Sequence, residues 1–371
     1  MSDRATIADV ARAAGVSIKT VSNVLNRTGS MRPETRDRVQ QTMRELGYRV
    51  NMSARAMKTG GIGLLGLAIT SFDQPFMPYL ADSVVDAARR RGYGVVTDTY
   101  GYERGLGSII AETQRLAADG WIFFASRPFA DRMLLKQPYP LVVIGDYPVF
   151  GMVDAVTMPN EDAVCDAVGR LLDRGCRAIA LIGGLRAEHD DAGTDTNAEA
   201  NDDVEAGRSC ESSDEASTGG LRTRGYRRAH RDRGLPVDER LIRPTSWVQT
   251  GGRDAVAALL DDPGCGIPDA LMCLNDAMAI GAIHELQRRG IRVPQDVQVC
   301  GFDDVPDGVD GIPALTTIDP HVNDYADHAV DLLLRRIQGS RSDAQVYTTH
   351  YELVVRESAL ANGRGGVERV R

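Results

Sequence analysis

The chain has 371 residues, a formal net charge of −9 and 43% hydrophobic residues, enough to bury more than one core. No apolar run is long enough to span a membrane, and the start Met-Ser-Asp-Arg carries no apolar signal segment. Six cysteines without a C-x-x-C pair, and without metal-ligand spacing to the six histidines, exclude a disulfide framework and point to no metal and no cofactor.

The charge is unevenly spread. Residues 1–60 hold 11 Lys and Arg against 5 Asp and Glu, a net of +6, which leaves 32 against 47 for the rest. A cationic end on an acidic body suits contact with nucleic acid at that end only. Within it, Thr6 and Asp9 have capping-box spacing, and Ile7, Val10, Ala11 and Ala14 recur on one face of a short helix. Gly15 supplies a turn, and Ser17 caps a second helix that turns Val21, Val24 and Leu25 inward. Its outer face carries Ile18, Lys19, Ser22 and Asn23, side chains suited to base edges. Asn pairs with adenine, Lys donates to guanine and Ile meets a thymine methyl. A third helix opens at Pro33, buries Val39, Met43 and Leu46, and ends at Gly47. Arg32 and other arginines offer phosphate contacts.

Beyond residue 60, apolar runs at 62–69, 94–98, 121–125, 140–145, 179–183, 270–274 and 297–302 have the length of strands buried in a parallel sheet. Helical segments lie between them, several closing on Arg91-Gly92, Asp119-Gly120, Arg174-Gly175 and Arg289-Gly290. This rhythm predicts a doubly wound α/β body in two lobes. Gly61, Gly63 and Gly66 fit a dinucleotide fingerprint in spacing but open a strand instead of following one, so that reading is discarded. Residues 186–220 hold 11 Asp and Glu against 2 Lys and Arg and almost no large apolar side chain, the composition of a disordered acidic insertion.

The stretch Thr6 to Lys58 resembles the DNA-binding head of the lac repressor/galactose repressor family of bacterial transcription factors. The resemblance runs through Thr6-Ile7, Asp9-Val10-Ala11, Ala14-Gly15-Val16-Ser17, Thr20-Val21-Ser22, Val24-Leu25-Asn26, Thr35-Arg36, Glu45-Leu46-Gly47-Tyr48 and Ala54-Arg55. It implies that Ile18, Lys19 and Asn23 read bases while Ser17, Thr20 and Ser22 contact phosphate. It also implies a hinge helix over 51–58, with Ala54 and Met57 at the minor groove, Met57 standing where the family usually has Leu. In the body, Arg222-x-x-Gly225-Tyr226, Leu274-Asn275-Asp276, Gly301-Phe302-Asp303-Asp304 and Arg356-Glu357-Ser358 are similar to the family's effector domain. The implied fold is a helix-turn-helix head on a two-lobed domain like a periplasmic binding protein.

Candidate effector residues follow. Asp276 lies between a strand and a helix, at the carboxyl end where open α/β sheets bind ligands. Arg222 matches the family's effector-contacting arginine, and Trp247 lies near where sugar-responsive members place an aromatic ring. Phe76 and Asp146 are further strand-end candidates. The expected division is a head at 1–50, a hinge at 51–60, a first lobe of 61–160 with 293–320, a second of 161–292 with 321–358, and a flexible tail at 359–371. The expected protein is a cytoplasmic, nucleoid-associated homodimer and not an enzyme. It would repress from a pseudo-palindromic double-stranded operator under control of a small-molecule effector, with a carbohydrate favoured by Trp247. A transport receptor of the same fold and a DNA-tethered α/β enzyme are the competing classes. The first lacks its signal segment, and the second lacks a nucleophile elbow, phosphate loop or metal cluster.

Overall fold

A computed structural model describes residues 5–26, 31–48, 61–101, 110, 116–126, 128–129, 131–186, 216–360 and 368–370. The chain divides into two compact units, Met1–Ile62 and Gly63–Arg371. The expected hinge helix, with Ala54 and Met57, lies outside the described residues, as does 187–215 of the acidic insertion.

The first unit holds helices α1 (Ile7–Ala14), α2 (Ile18–Asn26) and α3 (Pro33–Glu45) around a core of Val10, Ala11, Ala14, Val21, Val24 and Val39. The capping box forms: the Asp9 amide donates to Thr6 Oγ1 at 3.3 Å, and the Thr6 amide donates to Asp9 Oδ2 at 3.0 Å. Gly15 takes φ +65°, turning α1 into α2. The third helix departs from expectation at its end. Leu46 falls past the last turn, at 40% exposure, and Thr42 closes the core in its place, its hydroxyl donating to the Arg38 carbonyl at 2.9 Å.

The second unit carries two sheets. In chain order its elements are β1 (Leu64–Ile69), α4 (Phe76–Arg90), β2 (Gly94–Thr99), β3 (Gly120–Phe124), β4 (Leu141–Ile144), β5 (Asp154–Thr157), α5 (Asn160–Asp173) and β6 (Ile179–Ile182). There follow α6 (Thr218–Arg231), β7 (Ile242–Arg243), α7 (Gln249–Leu260), β8 (Ala270–Cys273), α8 (Asp276–Arg288), β9 (Gln298–Phe302) and α9 (Pro306–Val309). The chain closes through β10 (Thr316–Asp319), α10 (Val322–Ile337), β11 (Val346–Thr348), β12 (Glu352–Val355) and β13 (Glu368–Val370). The first sheet has the order β11-β5-β4-β3-β1-β2 and is parallel throughout. The second runs β13-β12-β10-β9-β8-β6-β7, parallel except that β12 is antiparallel to both neighbours. Each sheet reverses its winding beside its first strand, between β1 and β3 and between β6 and β8. Such switch points open crevices at the carboxyl ends of strands.

All seven apolar runs are strands. Those missed, such as β5 and β11, are short or mix polar residues into the run, so no run of hydrophobics marks them. Of the four expected helix stops, Gly92, Gly175 and Gly290 follow helices with positive φ, whereas Gly120 opens β3. Gly66, the last glycine of the discarded fingerprint, has a packing role: a Cβ there would stand 2.2 Å from the Trp121 indole.

The lobe boundaries need correction. Residues 298–302 and 316–319 were expected in the first lobe but pair into the second sheet, with Leu271 opposite Val299. Conversely, α10 and β11 belong to the first lobe: Arg336 of α10 holds Asp154 of β5 at 2.6 Å, and Arg91 of α4 holds Asp331 at 2.6 Å. The chain therefore crosses between lobes at 158–159, 320–321 and 349–351. The tail is also shorter than expected. Ala359 and Leu360 are buried, and Glu368–Val370 form an edge strand. The insertion likewise ends before 220, because Ser217 caps α6 by accepting from the Gly220 amide at 3.0 Å.

Candidate DNA interface and effector cavity

The six candidates at the start of α2 and along it sit on or beside the face turned from the head core. Ile18 is 50% exposed, Ser17 and Lys19 are exposed, and Thr20 and Asn23 are half-buried at its edge. Ser22 is half-buried beside them. The Ser17 hydroxyl accepts from the Thr20 amide at 3.1 Å and lies 2.9 Å from the Thr20 hydroxyl, which fixes the amino end of α2. Arg32 is exposed just before α3, with no side-chain cap bond of its own. An exposed isoleucine beside a lysine adds nothing to a core of this size; both side chains are available to a base edge.

In the body, a cavity of about 320 Å³ opens between the lobes, at the carboxyl ends of strands from both sheets. The first lobe supplies Thr70 after β1, Phe76 from α4, Phe124 and Ser126 at the end of β3, and Asp146 after β4. Rings of Phe76 and Phe124 meet with centroids 6.3 Å apart and planes tilted by 56°. The second lobe supplies Arg222 from α6, Trp247, Asn275 before α8 and Asp303 after β9. Of the five expected effector residues, the structure brings Phe76, Asp146, Arg222 and Trp247 to this wall.

Arg222 is 2% exposed and is held on every side. Its Nε donates to Asn160 Oδ1 at 2.7 Å, Nη1 donates to the Leu274 carbonyl, and Nη2 stands 3.5 Å from Asp303 Oδ1. The guanidinium lies 3.4 Å from the Phe302 ring centroid and 5.5 Å from that of Trp247, a cation between two aromatic faces. Burial lowers its pKa, opposed first by the Asp303 charge. Burial also pushes the Asp303 carboxyl up to about 7, against the pull of Arg222. Asp303 and Asp304 both have positive φ, 115° and 49°, uncommon for residues other than glycine and concentrated at functional sites.

Asp276 is the correction. It is fully buried and absent from the cavity wall: Oδ2 accepts from the Val305 amide at 2.9 Å and Oδ1 from the Thr317 hydroxyl at 2.5 Å. The helix start points this carboxylate at β10 and the loop after β9, where it holds the Asp303–Asp304 turn from below. Burial raises its pKa well above the usual carboxylate range. Asn275 caps α8 instead, accepting from the Met278 amide at 2.8 Å while its Nδ2 donates to the Trp247 carbonyl at 3.0 Å. The second lobe's acid on the cavity wall is Asp303, which the strand-end rule could have found, since it too follows an apolar run. Thr70 was also missed. Its hydroxyl is buried on the cavity wall with no hydrogen-bond partner among the described residues, which leaves it available to a ligand.

Asp146 spans the lobes. It accepts from the Thr157 hydroxyl of its own lobe and from the Thr218 hydroxyl at the start of α6. Among the described residues no cluster of His, Cys, Asp and Glu could hold a metal ion, and no helix is long and apolar enough to cross a membrane.

Residues 6–51 match the bacterial regulatory proteins of the lacI family, and residues 168–359, over half the chain, match the periplasmic binding protein-like domain. The structure is similar to that of a LacI-type transcription regulator from Bifidobacterium animalis subsp. lactis. The two are 43% identical, with a TM-score of 0.69, over 80% of this chain and 99% of that one. The chain belongs to the lacI family of bacterial regulatory proteins. It is a DNA-binding transcriptional regulator with an effector-binding domain. Catabolite control protein A of Priestia megaterium is 28% identical over 360 residues, 95% of this chain and 98% of that protein. A transcriptional regulator, CelR, solved as its cellobiose complex, is 26% identical, with a TM-score of 0.65 over 96% of this chain and all of that one. In this lacI-family chain the Arg222–Asp303 pair and the rings of Phe76, Phe124 and Trp247 line the interlobe cavity.

Proposed function

We propose that this lacI-family regulator acts as a homodimeric repressor, each copy placing α2 in one half of a pseudo-palindromic operator. Ile18, Lys19 and Asn23 read bases; Ser17, Thr20, Ser22 and Arg32 hold phosphate; Ala54 and Met57 work at the minor groove. It acts in the cytoplasm, at the nucleoid, and binds its effector without turning it over. The effector is an uncharged carbohydrate held between Phe76 and Trp247, whose ring faces suit the C–H face of a sugar.

One observation carries the effector reading. Arg222, the one cation on the cavity wall among the described residues, is already committed to Asn160, Leu274 and Asp303, and two carboxyl groups share that wall. Among the described residues an anionic ligand would meet those carboxyls and no spare cation, whereas hydroxyls can bond Asp303, Asp146 and the Thr70 hydroxyl. The cellobiose complex of CelR agrees with that chemistry. Closing the lobes on the ligand couples the cavity to operator affinity, and the coupling acts in both directions.

The test is a thermal-shift screen of neutral sugars, nucleosides and sugar phosphates, repeated on Arg222→Met. A neutral sugar should raise the melting temperature of the parent and not of the variant. A shift by sugar phosphates alone, or one that survives Arg222→Met, would overturn the assignment.

A further inference from the structure

The C-terminal strand β13 lies at the edge of the second sheet, pairing Arg369 opposite Val354 of β12. From there its guanidinium reaches three acids. Nη1 lies 2.8 Å from Asp319 Oδ2 and 3.3 Å from Glu352 Oε2, and Nη2 lies 3.6 Å from Asp304 Oδ2. These acids are the last residue of β10, the first of β12 and the residue next to Asp303. The chain leaves the second lobe just after Asp319 and re-enters it just before Glu352. One side chain therefore ties two of the three lobe crossovers to the turn that presents Asp303 to the cavity.

The charges make this tie necessary. Asp319 and Glu352 stand directly opposite each other across the antiparallel β10–β12 pair, where like charges destabilise. Their side chains are 13% and 12% exposed, so water screens them little. The neighbouring His321 has φ +55°, and its amide donates to Asp319 Oδ1 at 2.8 Å, so the crossover itself is bent around this carboxylate. On the other side, Asp304 is held at 2.6 Å by Arg356 as well as facing Arg369.

We infer that Arg369 is a positioning residue for the effector cavity: docked by β13, it clamps the crossovers and fixes the Asp303–Asp304 turn. Loosening the strand frees the crossovers and lets Asp303 depart from Arg222. The effect on effector response rests on the cavity reading above; the clamp does not.

The experiment is hydrogen exchange on the full-length protein and three variants: Arg369→Gln, Arg369→Lys, and Arg369→Gln combined with Asp319→Asn and Glu352→Gln. With Arg369→Gln, exchange at 303–305, 319–321 and 349–352 should rise about fivefold to thirtyfold, with α5 and α7 unchanged. Arg369→Lys should restore most of the protection, and the triple variant should restore it by removing the opposed charges. Unchanged exchange at the crossovers, a rise confined to 368–370, a uniform rise, or a triple variant as loose as Arg369→Gln would each overturn the clamp. Exchange behaving as expected while no neutral sugar shifts the melting temperature would leave the clamp standing and remove the effector reading.

Discussion

In the head, the side chains assigned to function are those left outside a small core; in the effector domain the charged pair at their centre is among the most deeply buried of its polar groups. Lys19 and Ile18 stand on an open helix face, whereas Arg222 and Asp303 are 2% and 5% exposed. The difference reflects what each surface must recognise. A duplex is too large to enclose, so its reader presents side chains outward at little cost to folding. A small ligand is recognised by enclosing it, and groups that bond it must be held ready in a site with little water. Their burial is costly unless each finds a partner. Substitutions on the outer face of α2 should therefore change recognition without stability, and cavity substitutions should change both.

The largest effect is expected at Arg222. Arg222→Met leaves Asp303 and Asp276 without the nearby cation and should cost about 3–5 kcal/mol of stability, read by denaturant unfolding. A loss below about 1 kcal/mol would mean that the buried pair carries little energy and that the two regions differ less than stated.

Asp303 sharpens the same point through pH. Its carboxyl titrates at about 7 when folded and near 4 when unfolded, so the folded state holds this proton more tightly. The resulting contribution to stability is complete below about pH 4 and is lost as pH rises to about 7. Asp276, also raised, adds the same sign. Glu285 and Asp296, held down to about 2 by arginine neighbours, act in the opposite sense and only below about pH 4. Asp303→Asn should flatten the slope between pH 4 and 7 in melting temperatures; an unaltered slope would remove Asp303 as its source.

Lys19→Ala should narrow the preference between operators by about 1–3 kcal/mol in binding titrations. It should move stability by less than about 0.5 kcal/mol. Equal weakening on every sequence would make Lys19 a phosphate contact instead. Thr6→Ala is its complement: loss of the capping box should lower head stability by about 1 kcal/mol and leave base preference intact. A change in preference would show that α1 helps to aim α2.

Much of the head was legible because its signals are local. A capping box, a turn glycine and a 3.6-residue period each act within one or two helical turns, and Thr6, Gly15 and Val10 could be read in place. Even there, Leu46 gave way to Thr42, because which residue closes a small core depends on where the helix stops. In the body, seven strands declared themselves as apolar runs, whereas β5 and β11 did not.

The cavity was half legible. The residue pattern points to Phe76, Asp146, Arg222 and Trp247, and all four reach its wall. Asp276 and Asp303 obey the same strand-end rule, and nothing in the order of residues tells which carboxylate faces the cavity and which props up the turn beneath it. The positive φ of Asp303, the bond from Thr317 to Asp276 and the lobe membership of 298–319 all follow from strand pairing between distant segments.

The linear chain alone determined the cationic three-helix head, the alternation of strand and helix, and a ligand-binding edge at strand ends. These follow from periodicity and composition, which act between near neighbours. Only the tertiary structure decided which lobe each crossover serves, which acid meets Arg222, and that Arg369 returns to clamp the junction. Each of those is settled by burial and by charge pairing across long sequence separations, where side chains meet only after both sheets have formed.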